Sequence, residues 1–424
     1  MNRKMLSLLL VLVLTLGAFC TTAFAADKKV LKVAMSSGDL PVDGTATIEK
    51  MFAKFEEEND CDVELVMIAH DGWSDYLTKL QTMMVSGNAP DVFQNPHEGG
   101  RMANALGIVA PLDEYIEMHP EKWEAFKERC PEWLLNARLV DGKIYGLADC
   151  FQRTVMWFNK DRLAEAGLEV PAADWTWEEF EHYLEVLSQP KEDGTKQYAI
   201  AIPDYYFVYN QWLYSFGTGF LNDEYNEVTF DSKESIELMQ FLADCVAKGY
   251  APVPDKNYDY LQQMIDGYVA MTNAGRWMLK YCSSNDFYNV AAVEIPHKYS
   301  GRQEYAIGSF EVISSTPNYE LASAFAFYTV TDDWEYGWVN DTANIASITG
   351  IETTDELSKR GYVGQELFDL TNMPAESYPM QSPVAFTEIS NIFDRCFSSV
   401  MSGEVSAEEA CKAAAEEMRA AIAQ

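Results

Sequence analysis

The sequence predicts an α/β fold of two lobes, each a mainly parallel sheet flanked by helices, with the chain crossing between the lobes more than once. Three observations predict it. From Leu31 onward, apolar residues switch between the spacing of strands and that of helices. The chain has 424 residues, more than one hydrophobic core usually organises, so two domains are expected. No Pro-rich linker, low-complexity tract or internal repeat separates two halves, so the domains share their connections.

Leu31 to Met35 reads as a short buried strand. Ile48, Met51, Phe52 and Phe55 then fall on one helical face, at i, i+3, i+4 and i+7. Val63, Leu65 and Met67 alternate as in a second strand. Leu77, Leu80 and Met84 make the next helical stripe, which Gly87 is placed to end. Asp91 to Gln94 is a third strand. This order is that of an open parallel sheet covered by helices, where ligands sit in the loops beyond the carboxyl ends of strands. The rule nominates Ser36, Ser37 and Asp39 after the first strand, and Asn95 to Glu98 after the third. Further on, Thr176 and Glu179 form a capping box that opens a helix with Phe180, Tyr183, Leu184 and Leu187 on its apolar face. Gln197 to Ile202 is a strand, followed by the aromatic stretch Tyr205 to Phe220. Helices are expected near Lys233–Lys248, Tyr319–Val330 and Ser406–Ala423.

The N-terminus reads as an export signal. Arg3 and Lys4 precede an apolar run from Met5 to Phe19, too short for the roughly 20 residues of a membrane helix. Ala23-Phe24-Ala25 supplies the small-x-small cleavage pattern, so residues 1–25 are expected to be removed. Cys20 offers lipid attachment as an alternative, although Phe19 stands where a lipoprotein signal has a small residue. An exported chain is thus expected, extracellular or held at the cell envelope, and periplasmic where the source has an outer membrane.

The whole chain carries a net charge of −35. Without Arg3 and Lys4, 29 basic residues face 66 acidic ones, a balance of −37. Such a surface repels phosphate backbones and anionic headgroups, which excludes nucleic acid as a partner and favours a neutral or cationic ligand. Seven cysteines follow the signal, none in C-x-x-C spacing, and the five histidines are scattered, so neither a metal site nor a cofactor is expected.

The ordered motifs resemble those of the extracellular solute-binding proteins of family 1, the maltose-binding type. They run from Trp73-Ser74-Asp75-Tyr76 and Ser86-Gly87-Asn88-Ala89-Pro90-Asp91 through Gly142-Lys143-Ile144-Tyr145-Gly146 and Trp157-Phe158-Asn159-Lys160-Asp161. They continue with Trp175-Thr176-Trp177-Glu178, Gly275-Arg276-Trp277 and, near the C-terminus, Ser402-Gly403-Glu404. The resemblance implies the two-lobed periplasmic-binding-protein fold, with hinge crossings near Cys150–Arg153, near Tyr305–Phe310 and around Gly350–Phe368. It assigns 26–151 plus 310–355 to the first lobe and 152–309 plus 356–424 to the second. It also implies a monomer that closes on a carbohydrate between its lobes and passes it to the transmembrane permease of an ABC importer.

Carbohydrate sites join aromatic rings, for the C–H faces, to planar polar groups, for the hydroxyls. By the resemblance, Trp277 places its indole in the cleft, with Asn273 and Arg276 beside it. Tyr206 and Trp212 are the candidates of the aromatic stretch. Asn95 stands where maltose binders have an aromatic contact, which argues against a maltodextrin, and Glu98 stands where they have an acid. Gln152 is the candidate at the first hinge crossing, and Ser37 and Asp39 those after the first strand.

Three other readings stay open. A glycoside hydrolase needs two carboxylates flanking one bond, and no motif marks a pair. Gly-x-Ser-x-Gly and His-Glu-x-x-His are absent, so an enzyme is not expected. The same fold binding a polyamine or another cation agrees with the acidic balance. A sensor subunit would look the same in sequence.

Overall fold

The computed structural model describes residues 28–40, 44–190, 194–254, 259–342, 344–351 and 377–423, except the side chains of residues 39 and 339–342. The expected leader and most of the expected third crossing lie outside them. In chain order the strands are β1 (Lys29–Ser36), β2 (Cys61–Ile68), β3 (Val92–Pro96), β4 (Leu139–Val140), β5 (Lys143–Ile144), β6 (Ala148–Gln152) and β7 (Thr154–Asn159). They continue with β8 (Tyr198–Ala201), β9 (Val269–Gly275), β10 (Val290–Val293), β11 (Gln303–Val312), β12 (Ile345–Ala346) and β13 (Ser377–Pro379).

Two sheets form the two lobes. The first runs β12-β6-β11-β3-β1-β2, with β13 paired to the start of β11; the second runs β10-β7-β9-β8. The expected parallel pairing holds for β1 with β2 and β3, and for β8 with β9. The pairings of β11 with β3 and β6, and of β7 with β9 and β10, are antiparallel, so both sheets are mixed. The reason in the first sheet is that β11 arrives from the other lobe and runs against its neighbours.

The register positions the loops. β1 and β2 pair from Lys29↔Cys61 to Ser36↔Ile68, so both strands end at one level and their following loops lie side by side. The helices between parallel strands are α1 (Ala46–Asn59) and α2 (Trp73–Val85). α1 buries Ile48, Met51, Phe52 and Phe55. Phe52 and Phe55 meet Phe325 edge-on in the core of the first lobe. α2 buries Tyr76, Leu77 and Leu80 and is followed by Gly87 at φ 77°, a left-handed position that glycine adopts without steric cost.

In the second lobe, α3 (Trp177–Leu187) opens on the Thr176–Glu179 capping box, with both reciprocal bonds present. α4 (Tyr206–Ser215) is buried at every residue. It packs with α5 (Lys233–Ala247), α8 (Phe386–Met401) and α9 (Ala407–Ile422), as Tyr209 against Phe393 and Phe397 illustrates. Two shorter elements complete the frame, α6 (Met278–Ser284) after β9 and α7 (Tyr319–Tyr328) after β11. Among the described residues no helix is long and apolar enough to cross a membrane. The seven described cysteines are buried free thiols.

The chain passes from β6 in the first sheet to β7 in the second through Arg153 alone. It returns between Val293 of β10 and Ala306 of β11, which pairs with Gln152. It leaves again between β12 and α8.

Candidate ligand-binding cleft

A cavity of about 500 Å³ lies between the lobes. From the first lobe it is lined by the loop ends of β1, β2 and β3 (Ser36, His70, Trp73, His97 and Glu98) and by Gln152 at the end of β6. From the second it is lined by Tyr205, Phe207, Asp259, Tyr260, Trp277 and Lys280.

Each lobe supplies an aromatic wall. In the second lobe the Trp277 indole folds back over Gly275, so close that a Cβ there would stand 1.9 Å from a ring carbon. The ring packs at 6.0 Å on Phe207 and 6.3 Å on Tyr205. In the first lobe His70 stacks on Trp73, with ring centroids 5.2 Å apart and planes 29° from parallel.

Polar groups cross the gap. The Tyr205 hydroxyl donates to Glu98 Oε1 at 3.2 Å, and Lys280 Nζ donates to the Gly38 carbonyl at 3.2 Å. At the hinge, Gln152 Oε1 accepts from the Arg276 backbone N–H at 3.1 Å, while its amide nitrogen donates to Asn344. Glu98 is buried, on the 3-10 turn His97–Gly99. Arg138 holds that turn from below by donating to the carbonyls of Asn95, at 3.1 Å, and Pro96, at 2.8 Å. Burial, with Arg138 nearby, pushes the pKa of His97 down to about 3, so the ring stays neutral.

Among the residues nominated from sequence, Ser36, Pro96, His97, Glu98, Gln152 and Trp277 lie on the cavity wall. Others do not, and the structure corrects them. Trp212 packs on Trp177 and Phe180 in the core, and Tyr206 stacks on Phe220 at 4.1 Å. Both belong to α4, which turns them inward, whereas Tyr205, one residue before the helix, reaches the cavity. Asn95 sits within β3, which extends to Pro96, beyond the expected end at Gln94. Its amide donates to Glu311 Oε2 at 2.7 Å, beneath the cleft. Asn273 is fully buried and ties β9 to α4 through the Val208 carbonyl, at 3.2 Å. Arg276 is 1% exposed, and its guanidinium has no hydrogen-bond partner among the described residues. Ser37 is half-buried and off the cavity, although its neighbours Ser36 and Gly38 line it. Asp39 belongs to the same short turn, and its side chain lies outside the described residues.

Sequence reasoning missed Tyr205, Phe207, His70 and Asp259. The strand-end rule, applied to β2 as it was to β1 and β3, reaches His70 directly. Tyr205 carries the weaker signal of being the residue that precedes a helix.

The cleft joins aromatic faces, carboxylates and amides around a partly open space, an arrangement suited to a small polar solute. Among the described residues, no group of three or more histidine, cysteine, aspartate or glutamate side chains could hold a metal ion. A galactooligosaccharide-binding protein of Bacillus subtilis is 21% identical over 389 residues, 88% of this chain and 86% of that one. An arabinooligosaccharide-binding protein of Halalkalibacterium halodurans is 26% identical over 235 residues, 53% of this chain, so the match spans about half of that relative, 49% of its length. An ABC substrate-binding protein of Listeria monocytogenes, solved in complex with cycloalternan, superposes with a TM-score of 0.80 at 23% identity, over 94% of this chain and 100% of that one. Residues 50–362 match the bacterial extracellular solute-binding proteins, and the chain belongs to that family.

Proposed function

We propose that this protein is the substrate-binding subunit of an ABC importer, capturing a sugar or short oligosaccharide between its lobes and delivering it to the membrane permease. The observation that carries this reading is the pair of aromatic walls, Trp73 with His70 and Trp277 with Phe207 and Tyr205, set around Glu98 and Gln152. Rings take the apolar faces of a pyranose, while carboxylate and amide take its hydroxyls. The oligosaccharide-binding relatives support it. In this reading the chain is exported by its leader and acts as a monomer. Glu98 belongs to the lobe built on the sheet β12-β6-β11-β3-β1-β2, and Trp277 to the lobe built on β10-β7-β9-β8. The chain binds its solute without transforming it.

A cationic solute is the second reading, favoured by Asp71, Glu98 and Asp259, three carboxylates on a wall with Lys280. Calorimetric titration with a panel of oligosaccharides and a panel of polyamines separates the two. Heat from sugars alone supports the first reading, and heat from amines alone replaces it with the second. X-ray scattering with and without the bound solute tests closure, which predicts compaction.

A further inference from the structure

The loop after β2 makes a hydrogen-bond relay with only one consistent direction. The Gly72 backbone N–H donates to His70 Nδ1 at 3.1 Å. A backbone amide cannot accept, so Nδ1 carries its lone pair and the neutral ring holds its proton on Nε2. That nitrogen lies 2.7 Å from Ser36 Oγ and therefore donates to it. Ser36 Oγ also accepts from the Gly38 backbone N–H at 3.1 Å. Both lone pairs of the hydroxyl are then engaged, and its proton is left to donate toward the cavity, whose lining includes Ser36 although that residue is buried. The same imidazole stacks on Trp73 and meets Tyr76 edge-on at 5.4 Å.

We propose that His70 is a positioning residue: in its Nε2-protonated neutral form it makes Ser36 a one-way hydrogen-bond donor to an acceptor oxygen of the bound sugar, and it sets the Trp73 ring that flanks it. The proposal rests on the sugar-binding reading for its ligand, but not for the relay itself.

A second proton on His70 would sit on Nδ1 and face the Gly72 N–H, donor against donor at 3.1 Å. Gly72 is the N-cap of α2, directly before Trp73, so its displacement carries Trp73 with it. The charged groups around the ring are Asp71 on its own loop and Asp75 and Lys79 on α2; β1 and the rings of Trp73 and Tyr76 contribute none. Burial outweighs them and holds the ring's pKa below the ordinary 6.5. The neutral form, and the arrangement it holds, is complete above about pH 6.5 and is lost as pH falls through the lower folded value. His97, the other cavity histidine, titrates at about 3, well below this window.

Two measurements test the proposal. Nitrogen NMR of the ligand-free protein labelled with ¹⁵N-histidine should find His70 as the Nε2–H tautomer, titrating below 6.5. An Nδ1–H tautomer, or titration at or above that value, overturns it. Calorimetry with arabinotriose and galactotriose, at about pH 7.5 and about pH 5.5, should find wild-type affinity weaker at the lower pH. His70→Gln keeps an N–H donor near the Nε2 place and does not titrate, so it should bind almost as wild type with a flat profile. His70→Asn keeps the acceptor for Gly72 but loses the donor, and should bind about five- to tenfold more weakly at both pH values. Ser36→Ala should match it, and the double variant should be no weaker than either. A wild-type pH profile in folded His70→Gln overturns the proposal. If neither sugar binds while NMR gives the expected tautomer and titration, the sugar reading fails and the relay stands.

Discussion

The Tyr205 hydroxyl and the Glu98 carboxylate, 107 positions apart, meet across the cleft at 3.2 Å and tie the two lobes at the wall of the cavity. Each belongs to a loop end rather than to a sheet, so the bond can break without disturbing either core. It is a contact that exists only when the lobes are together.

Tyr205→Phe removes that bond and keeps the ring against Trp277. A hydrogen bond to a charged group at a partly exposed site is worth about 1 kcal/mol net, so the open population should rise roughly fivefold. Fluorescence energy transfer between dyes on the two lobes of the ligand-free protein reads this, and an unchanged distance distribution would discard Tyr205 as a latch.

Trp277 is half-buried, and its ring leans on Phe207 and Tyr205 rather than filling the core. Trp277→Ala should therefore weaken sugar binding by about tenfold or more while moving the melting temperature by only about 2–4 °C. Calorimetry beside a thermal melt separates the two effects. Wild-type affinity in the variant would remove Trp277 from the site.

Glu304, on β11, accepts from Thr154 Oγ1 and from Asn210 Nδ2, both at 2.9 Å. Burial pushes its pKa well above the usual carboxylate range. A carboxyl that holds its proton longer in the fold than in the unfolded chain makes the folded state the greater proton binder. Its contribution to stability is then present at low pH and lost as pH rises from the unfolded value, about 4.3, toward the folded one. Melting temperatures from about pH 5 to about pH 9 should decline for wild type and decline less for Glu304→Gln. An equally steep decline in both would show that Glu304 does not govern it.

Arg276 is the reverse case. Its guanidinium is buried without a partner among the described residues, and burial pushes its pKa down to about 10. At neutral pH it is charged in both folded and unfolded chains, so desolvation opposes folding across the whole physiological range. Arg276→Met should stabilise the ligand-free protein by about 1–4 kcal/mol in urea unfolding. A destabilised variant would mean that the charge is satisfied after all.

The α/β alternation was legible because strand and helix spacings differ and the leading strands lie in simple parallel order. The capping box at Thr176 was legible because its two bonds are local in sequence. The cleft was harder to read. In α4 every position is buried, so no periodicity distinguishes Tyr206 and Trp212, which face the core, from a residue that faces the cavity. Asn95 and Glu98 exchange roles with the point at which β3 ends, and a shift of two residues decides which one lies below the cleft. The partnership of Tyr205 with Glu98 depends on how the lobes meet, which no local pattern encodes.

Gly275 lies behind the Trp277 indole, off the solute's path, yet it determines where the ring can stand. A methyl group at 275 would stand 1.9 Å from a ring carbon, in the ring's own resting place, so the indole would have to move from its position on the cavity wall. The breadth of the cleft is set as much by an absent side chain on β9 as by the residues that line it.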